Sequence, residues 1–290
     1  MTEVALARRL AAEFAGSAFL AAAVIGSGIA AQHLSPGDTG LELLENAAAT
    51  AAGLFTIILM FGPLSGGHFN PVVSFADAAF GGLRWRDAAS YLPAQVAGCV
   101  AGALIANLMF ALPAVNISAK DRATPAHFLS EVFATLGLLL VIFALARTGR
   151  SRSAPAAVGA YIGAAYFFTS STSFANPAIT IGRMFSGTFA GIAPSSAPAF
   201  IAAQVVGGGL AVVVVRALYP RLTAADAAEI VVPHLHGSRA AGDGAGDGRT
   251  AGDGRDAGAG DGRDAESSGG RAIERDDGQA PAVSSHDPVR

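Results

Sequence analysis

The chain has 290 residues, of which 52% are hydrophobic and 14% charged, roughly half the ~25% charged residues of a soluble domain. Residues 1–236 hold 12 Lys/Arg against 11 Asp/Glu (net +1), and residues 237–290 hold 7 Arg against 11 acidic residues (net −4). Neither part has the basic excess that neutralises nucleic-acid phosphates, and a lone cysteine, Cys99, excludes an intrachain disulfide framework and a thiolate-cluster metal site.

Crossing a bilayer core of about 30 Å takes about 20 mainly apolar residues. In chain order, 10–31, 46–64, 88–111, 127–147, 154–172 and 197–219 qualify as six spans, the fifth turning polar at Thr169-Ser170-Ser171-Thr172-Ser173. The first is longer than the apolar run of a signal peptide and contains Glu13, so it reads as a span rather than a cleaved leader. Two shorter apolar runs, 70–80 and 176–187, both open with Asn-Pro. Proline at the first helical position removes an N–H that has no partner there, so both runs are predicted half-helices that begin inside the membrane. Lipid tolerates no unsatisfied backbone, so such segments must lie within protein or along a water-filled path. From Gly237 the chain repeats Ala-Gly-Asp-Gly-Arg with variations and almost no large apolar residues, a composition that reads as disordered.

With both termini inside, the cytoplasmic side receives Arg8, Arg9, Arg84, Arg86, Arg147, Arg150, Arg152, Arg216 and Arg221, and the outer side Lys120, Arg122 and Arg183. That asymmetry predicts cytoplasmic termini in a cell membrane. Small residues four apart (Gly98 and Gly102, Gly159 and Gly163, Gly187 and Gly191) predict close helix approach.

The chain also echoes itself. Glu13 matches Glu131, Asn70-Pro71-Val72 matches Asn176-Pro177-Ala178, and Ala94-Gln95-Val96-Ala97-Gly98 matches Ala203-Gln204-Val205-Val206-Gly207, at offsets of 118, 106 and 109 residues. Three spans per half make the second half an upside-down copy of the first. The expected organisation is a first inverted repeat at 1–111, a second at 112–236 and a tail at 237–290. Inverted repeats place their broken elements face to face near the midplane.

At these residues, and at Ser65-Gly66-Gly67-His68-Phe69-Asn70-Pro71, the sequence resembles the major intrinsic proteins, the aquaporins and aquaglyceroporins. The resemblance covers most of 1–220. It implies an all-α membrane protein of six transmembrane helices and two re-entrant half-helices, assembled as a homotetramer with a pore in each subunit. The implied function is passive passage of water and small neutral solutes across the lipid bilayer, with no cofactor, no metal and no catalytic residues. Asn70 and Asn176 are the implied pore centre, where their amides donate to a passing oxygen beside two positive helix ends. Glu13 and Glu131 are implied to accept hydrogen bonds from the loop ahead of each half-helix, and His68 to contribute to the inner pore wall. Val72 replaces the family's usual Ala and adds bulk beside Asn70.

The selectivity filter departs from the family. Where an arginine is usual, three residues after the second Asn, stands Ile179. Gapless counting puts Thr50 in the second span, Ala164 in the fifth and Ser173 in the loop at the other filter positions. Arg183, seven residues past Asn176 and about 10 Å along a helix, is expected to reach water at the outer mouth. Its repeat counterpart Asp77 is expected to be a solvated charge at the inner mouth. A filter of Ile, Thr and Ala is wider and lacks a fixed positive charge, which favours polyols, urea or neutral arsenic and antimony hydroxides. Asn-Pro-Ala-Ile-Thr-Ile-Gly-Arg looks like aquaglyceroporins found beside bacterial arsenic-resistance genes. The rival readings are a coupled inverted-repeat transporter, which needs more intramembrane charge than the paired glutamates, and a non-conducting scaffold that works through its tail. An enzyme has no support in His-Glu-x-x-His, Gly-x-Ser-x-Gly or paired aspartates within the spans.

Overall fold

A computed structural model describes residues 4–220; the expected tail at 237–290 and the end of the second repeat lie outside them. The described residues form eight α-helices: α1 Leu6–Leu34, α2 Thr39–Ser65, α3 Pro71–Phe80, α4 Trp85–Met109, α5 Pro125–Arg147, α6 Ala154–Phe168, α7 Pro177–Arg183 and α8 Ala197–Leu218. Among them, α1, α2, α4, α5 and α8 are long and apolar enough to cross a membrane. No strand occurs among the described residues, only an isolated bridge between Asn116 and Ser186.

Local chemistry explains the helix ends. The Asp38 side chain accepts from Leu41 N at 3.0 Å and starts α2 seven residues before the apolar run, because a capping carboxylate satisfies a donor with no helical partner. Thr124 caps α5 with Pro125 at its first turn. Asn70 and Asn176 cap α3 and α7, each with a proline following. Gly66 (φ 94°) and Gly81 (φ 88°) end α2 and α3 in the left-handed region that glycine enters without a Cβ penalty.

Two elements are shorter than expected. Helix α6 has 15 residues, about 22 Å at 1.5 Å per residue, and stops four residues early. Thr169 turns extended (φ −114°, ψ 138°), and the polar run after it arches inward so that Ser171 Oγ can donate to Glu131. The half-helix expected to reach residue 187 ends at Arg183. There the chain tightens into i→i−3 turns at Met184 and Phe185, then pairs with the loop ahead of α5: Asn116 N donates to Phe185 O (3.2 Å) and Ser118 N to Met184 O (2.9 Å).

Glycines set the closest approaches. A Cβ on Gly98 or Gly102 of α4 would fall within 3.0 Å of the Phe14 or Ala18 carbonyl oxygen of α1. One on Gly159 of α6 would lie 2.7 Å from Ala51 O of α2. Gly187 and Gly191 are not a helix contact as expected; both lie in the loop after α7, against Asn116 and Ser118. The largest apolar core links residues of all eight helices and of the loops that lead into α3 and α7.

Candidate functional site

Each half-helix is held by a buried glutamate on a long helix. The Glu13 carboxylate accepts from Ser65 Oγ (2.6 Å), His68 N (3.1 Å), Phe69 N (2.7 Å) and Gln95 Nε2 (2.7 Å). The Glu131 carboxylate accepts from Ser171 Oγ (2.6 Å), Phe174 N (2.9 Å), Ala175 N (2.9 Å) and Gln204 Nε2 (2.7 Å). The two sets repeat group for group, and both glutamates are fully buried. An ionisable group inside a membrane protein is expensive unless its acceptors are filled, and here four donors converge on each.

These bonds hold a strained backbone. Phe69 and Ala175, the residues before the two asparagines, both have φ +48°, a conformation that costs a non-glycine residue roughly 1–2 kcal/mol. Their N–H groups point at the glutamates, which turns their carbonyls across the molecular centre. There Asn70 Nδ2 donates to Ala175 O and Asn176 Nδ2 to Phe69 O, both at 2.7 Å. Asn70 Oδ1 accepts from Val72 N (3.0 Å), and Asn176 Oδ1 accepts from Ala178 N (2.9 Å) and Ile179 N (3.3 Å). An amide nitrogen carries two N–H bonds; one on each asparagine locks the opposite loop, and the second is left for the cavity that both residues line.

That cavity has a volume of about 60 Å³, and since ~10–15 Å³ suffices for one water, it has room for a short file of them. Its apolar side consists of stripes at four-residue spacing: Leu20 and Val24 of α1, Thr50, Leu54 and Ile58 of α2, Leu138 and Ile142 of α5, and Val158, Ile162 and Tyr166 of α6. The α1 and α5 stripes are offset by 118 residues, as the glutamates are.

Of the expected filter residues, Thr50, Ser173 and Ile179 line this cavity and are buried. Ser173 Oγ has no hydrogen-bond partner among the described residues and is a ready donor or acceptor for a solute. Ala164 is not with them. It is exposed, because two residues from Ile162 or Tyr166 is about 200° around a helix, which turns it to the opposite face. Tyr166 lines the cavity instead, with its hydroxyl 3.2 Å from Thr50 Oγ1.

Both charged residues seven positions past the asparagines are misplaced by the sequence reading. Arg183 is not in water at a mouth: it is 2% exposed and lines the cavity. Its Nε donates to Ala190 O, and its guanidinium carbon lies 3.4 Å from the Phe174 ring centroid. The path therefore does not lack an aromatic or a positive charge, contrary to the expectation from Ile179 and Ala164. Asp77 is not solvated either; it is 1% exposed, with Oδ2 3.4 Å from His68 Nε2. His68 is among the lining residues, but its side chain has no exposed surface. The ring is packed between Ser74 Oγ (3.0 Å from Nδ1), Asp77 and Tyr91, so what the residue exposes is main chain.

Val72 turns away from the cavity. Its methyl groups pack where Gly208 of α8 has no side chain, so the bulk beyond alanine is absorbed between helices while Val72 N keeps its bond to Asn70.

Near Arg183 the loop ahead of α5 adds two cations. The Arg122 guanidinium donates to Gly191 O (2.9 Å), Ser171 O (3.4 Å) and Phe189 O (3.4 Å) and stacks 5.2 Å from Phe174; burial lowers its pKa to about 10. Lys120 Nζ donates to Phe189 O (3.0 Å). Partial burial, then repulsion by Arg122 and Arg183, lowers its pKa to about 8. Among the described residues no group of three or more His, Cys, Asp or Glu could hold a metal ion.

The sequence profile of the family described as major intrinsic protein matches residues 1–175. Over 216 residues the chain is 48% identical to the aquaglyceroporin AqpS of Rhizobium meliloti (strain 1021), spanning 74% of this chain and 92% of that protein. Over 212 residues it is 32% identical to aquaporin TIP1-1 of Arabidopsis thaliana, spanning 69% of this chain and 82% of that one. The X-ray structure of the aquaglyceroporin from Plasmodium falciparum superposes with a TM-score of 0.60 over 75% of this chain and 99% of that chain at 21% identity, a likeness of fold.

Proposed function

The chain belongs to the major intrinsic protein family, and on that premise we propose that it is a passive, multi-pass membrane channel for water and small uncharged solutes such as glycerol. The observation that carries this reading is the buried cavity lined by Asn70 and Asn176, each fixed by one N–H with a second to offer. A solute oxygen that accepts from both amides replaces the hydrogen bonds it leaves in water, while the apolar stripes opposite accept its carbon skeleton. Nothing in this geometry requires an ion to be bound and carried, and the glutamates that a coupled transporter would need are spent on loop backbone.

The finer reading is a solute range wider than water: polyols, urea and the neutral hydroxides of arsenic and antimony. It is supported by Ile179, an apolar wall where the family carries arginine, and by the Ser173 hydroxyl, which lines the same cavity without a partner among the described residues. The two halves are read as inverted repeats, with both termini cytoplasmic in the cell membrane and four chains to the assembly. That orientation rests on the nine-to-three distribution of basic residues, and the tetramer rests on the family.

Stopped-flow light scattering on proteoliposomes tests the channel and the role of Ile179 together. Wild-type protein is expected to pass both water and glycerol well above empty liposomes. Ile179→Arg adds a long cation to the cavity wall beside Arg183 and is expected to cut glycerol permeability at least tenfold while largely sparing water. Wild type that passes water alone overturns the wider range; wild type that passes neither overturns the channel.

A further inference from the structure

Arg183 stands on the wrong turn of the half-helix to be the family's filter arginine, yet it is buried in the cavity wall with Ile179, Tyr166 and Asn176. A guanidinium has five N–H donors. Among the described residues only one of them, on Nε, has a protein acceptor, the Ala190 carbonyl. The neighbouring Arg122 is the contrast: its Nε and both terminal nitrogens are taken by loop carbonyls, so that residue braces the loop.

The Arg183 plane is also fixed. Phe174 lies against it at 3.4 Å and carries Arg122 at 5.2 Å. Phe174 is itself packed edge-on to Phe200, 5.1 Å between centroids. A cation held over an aromatic face by a second anchored contact loses little freedom when it meets a solute.

We infer that Arg183 is the specificity-determining residue at this end of the path: from the second turn of α7 it supplies the fixed positive charge and the free N–H donors that Ile179 cannot. The inference rests on the channel reading and adds to it a distinct consequence. Cations are turned back at Arg183 before they reach the asparagines, and entering solutes are those whose oxygens accept from the terminal guanidinium nitrogens. Arg183 and Ile179 divide between them what one arginine would do, the first supplying charge and the second room.

The test compares wild type, Arg183→Met and Arg183→Lys in proteoliposomes, reading potassium and proton leak with a voltage-clamping ionophore and an entrapped pH dye, alongside water and glycerol flux. Arg183→Met is expected to raise the cation leak at least tenfold and to raise glycerol flux relative to water. Arg183→Lys keeps the charge without the planar fork and is expected to hold the leak near wild type while the water-to-glycerol ratio changes. A leak in Arg183→Met equal to wild type overturns the inference even where wild type conducts glycerol normally. Wild type that moves neither solute overturns the channel reading instead. If Arg183→Met does not yield monodisperse protein, Phe174→Leu releases the guanidinium from its stack, and an unchanged water-to-glycerol ratio in that variant overturns the inference.

Discussion

The contact between Val72 and Gly208 can be tested by a substitution that adds a single carbon. A Cβ on Gly208 would fall under 3.0 Å from Val72 Cγ1, whereas one on the next residue, Gly209, would meet nothing within 4 Å. Both glycines lie within α8, so both alanine variants gain the same helix propensity, up to about 1 kcal/mol, and only one of them clashes. Relief requires the valine methyl to retreat by about 1 Å towards an ordinary carbon–carbon separation of ~3.5–4.0 Å. A β-branched side chain in a helix has essentially one rotamer, so the helices must part, at roughly 1–3 kcal/mol for an overpacked site. Gly208→Ala is therefore expected to melt below Gly209→Ala by about 3–10 °C, at ~2–4 °C per kcal/mol for a chain of this size, read by thermal unfolding of detergent-solubilised protein. The double variant Val72→Ala/Gly208→Ala is expected to recover the loss, because the Val72 Cβ that remains lies 3.7 Å from the new carbon, in ordinary contact. Since Val72 faces away from the cavity, the double variant is also expected to conduct glycerol within about twofold of wild type. Equal melting of the two single variants, or no recovery in the double, would refute the account of where the valine's bulk goes.

Glu131→Gln replaces a carboxylate that accepts four hydrogen bonds with an amide whose nitrogen faces donors. With bonds to charged groups worth about 1.5–3 kcal/mol each, a loss of at least ~3 kcal/mol is expected, seen as a lower melting temperature and less monodisperse protein; melting unchanged from wild type would show that the group is no anionic acceptor. Lys120 is the chain's only lysine, and its pKa is lowered to about 8 from the ordinary 10.5. The proton is therefore lost as pH rises through about 8, where well under ~1% of an ordinary lysine is uncharged. A membrane-impermeant amine reagent on intact cells, read by mass spectrometry at Lys120, is expected to show a labelling midpoint near pH 8 that moves up in Arg122→Met. A midpoint near 10.5 would contradict the crowded cation cluster, and labelling only after lysis would reverse the orientation.

The long helices were legible because burial in lipid demands runs of a fixed length, and the half-helices because Asn-Pro names both the cap and the first turn. The boundaries that went wrong were set by partners distant in sequence. Helix α6 stops where Ser171 must reach Glu131, 40 residues away, and α7 stops where Met184 and Phe185 pair with residues 116–118. No window of local sequence contains those partners. Ala164 is a miss of register: the offset of 106 residues between the two asparagines carries Ile58 onto Ala164, whereas the cavity-lining stripes of α2 and α6 correspond at an offset of 108, which pairs Ile58 with Tyr166.

Arg183 and Asp77 show why a rise of 1.5 Å per residue was the wrong ruler for the mouths of the path. Counting turns from the asparagines assumes that the half-helix runs on towards water with nothing above it, so a charge two turns away is solvated by default. Here each half-helix end is roofed by the other elements. The loop from Ser186 to Ala193 folds back over α7 and brings the Ala190 carbonyl to Arg183. On the other half-helix, His68 comes against Asp77, within reach of the Arg9, Tyr91 and Asp87 network. A buried charge persists only where it is paired or hydrogen-bonded, and the two solutions differ in kind. Asp77 faces a neighbouring side chain, whereas Arg183 gives one donor to a carbonyl and its face to an aromatic ring, leaving its terminal nitrogens at the cavity. The same displacement along the two half-helices thus yields a packed carboxylate on one side and a group positioned to select solutes on the other.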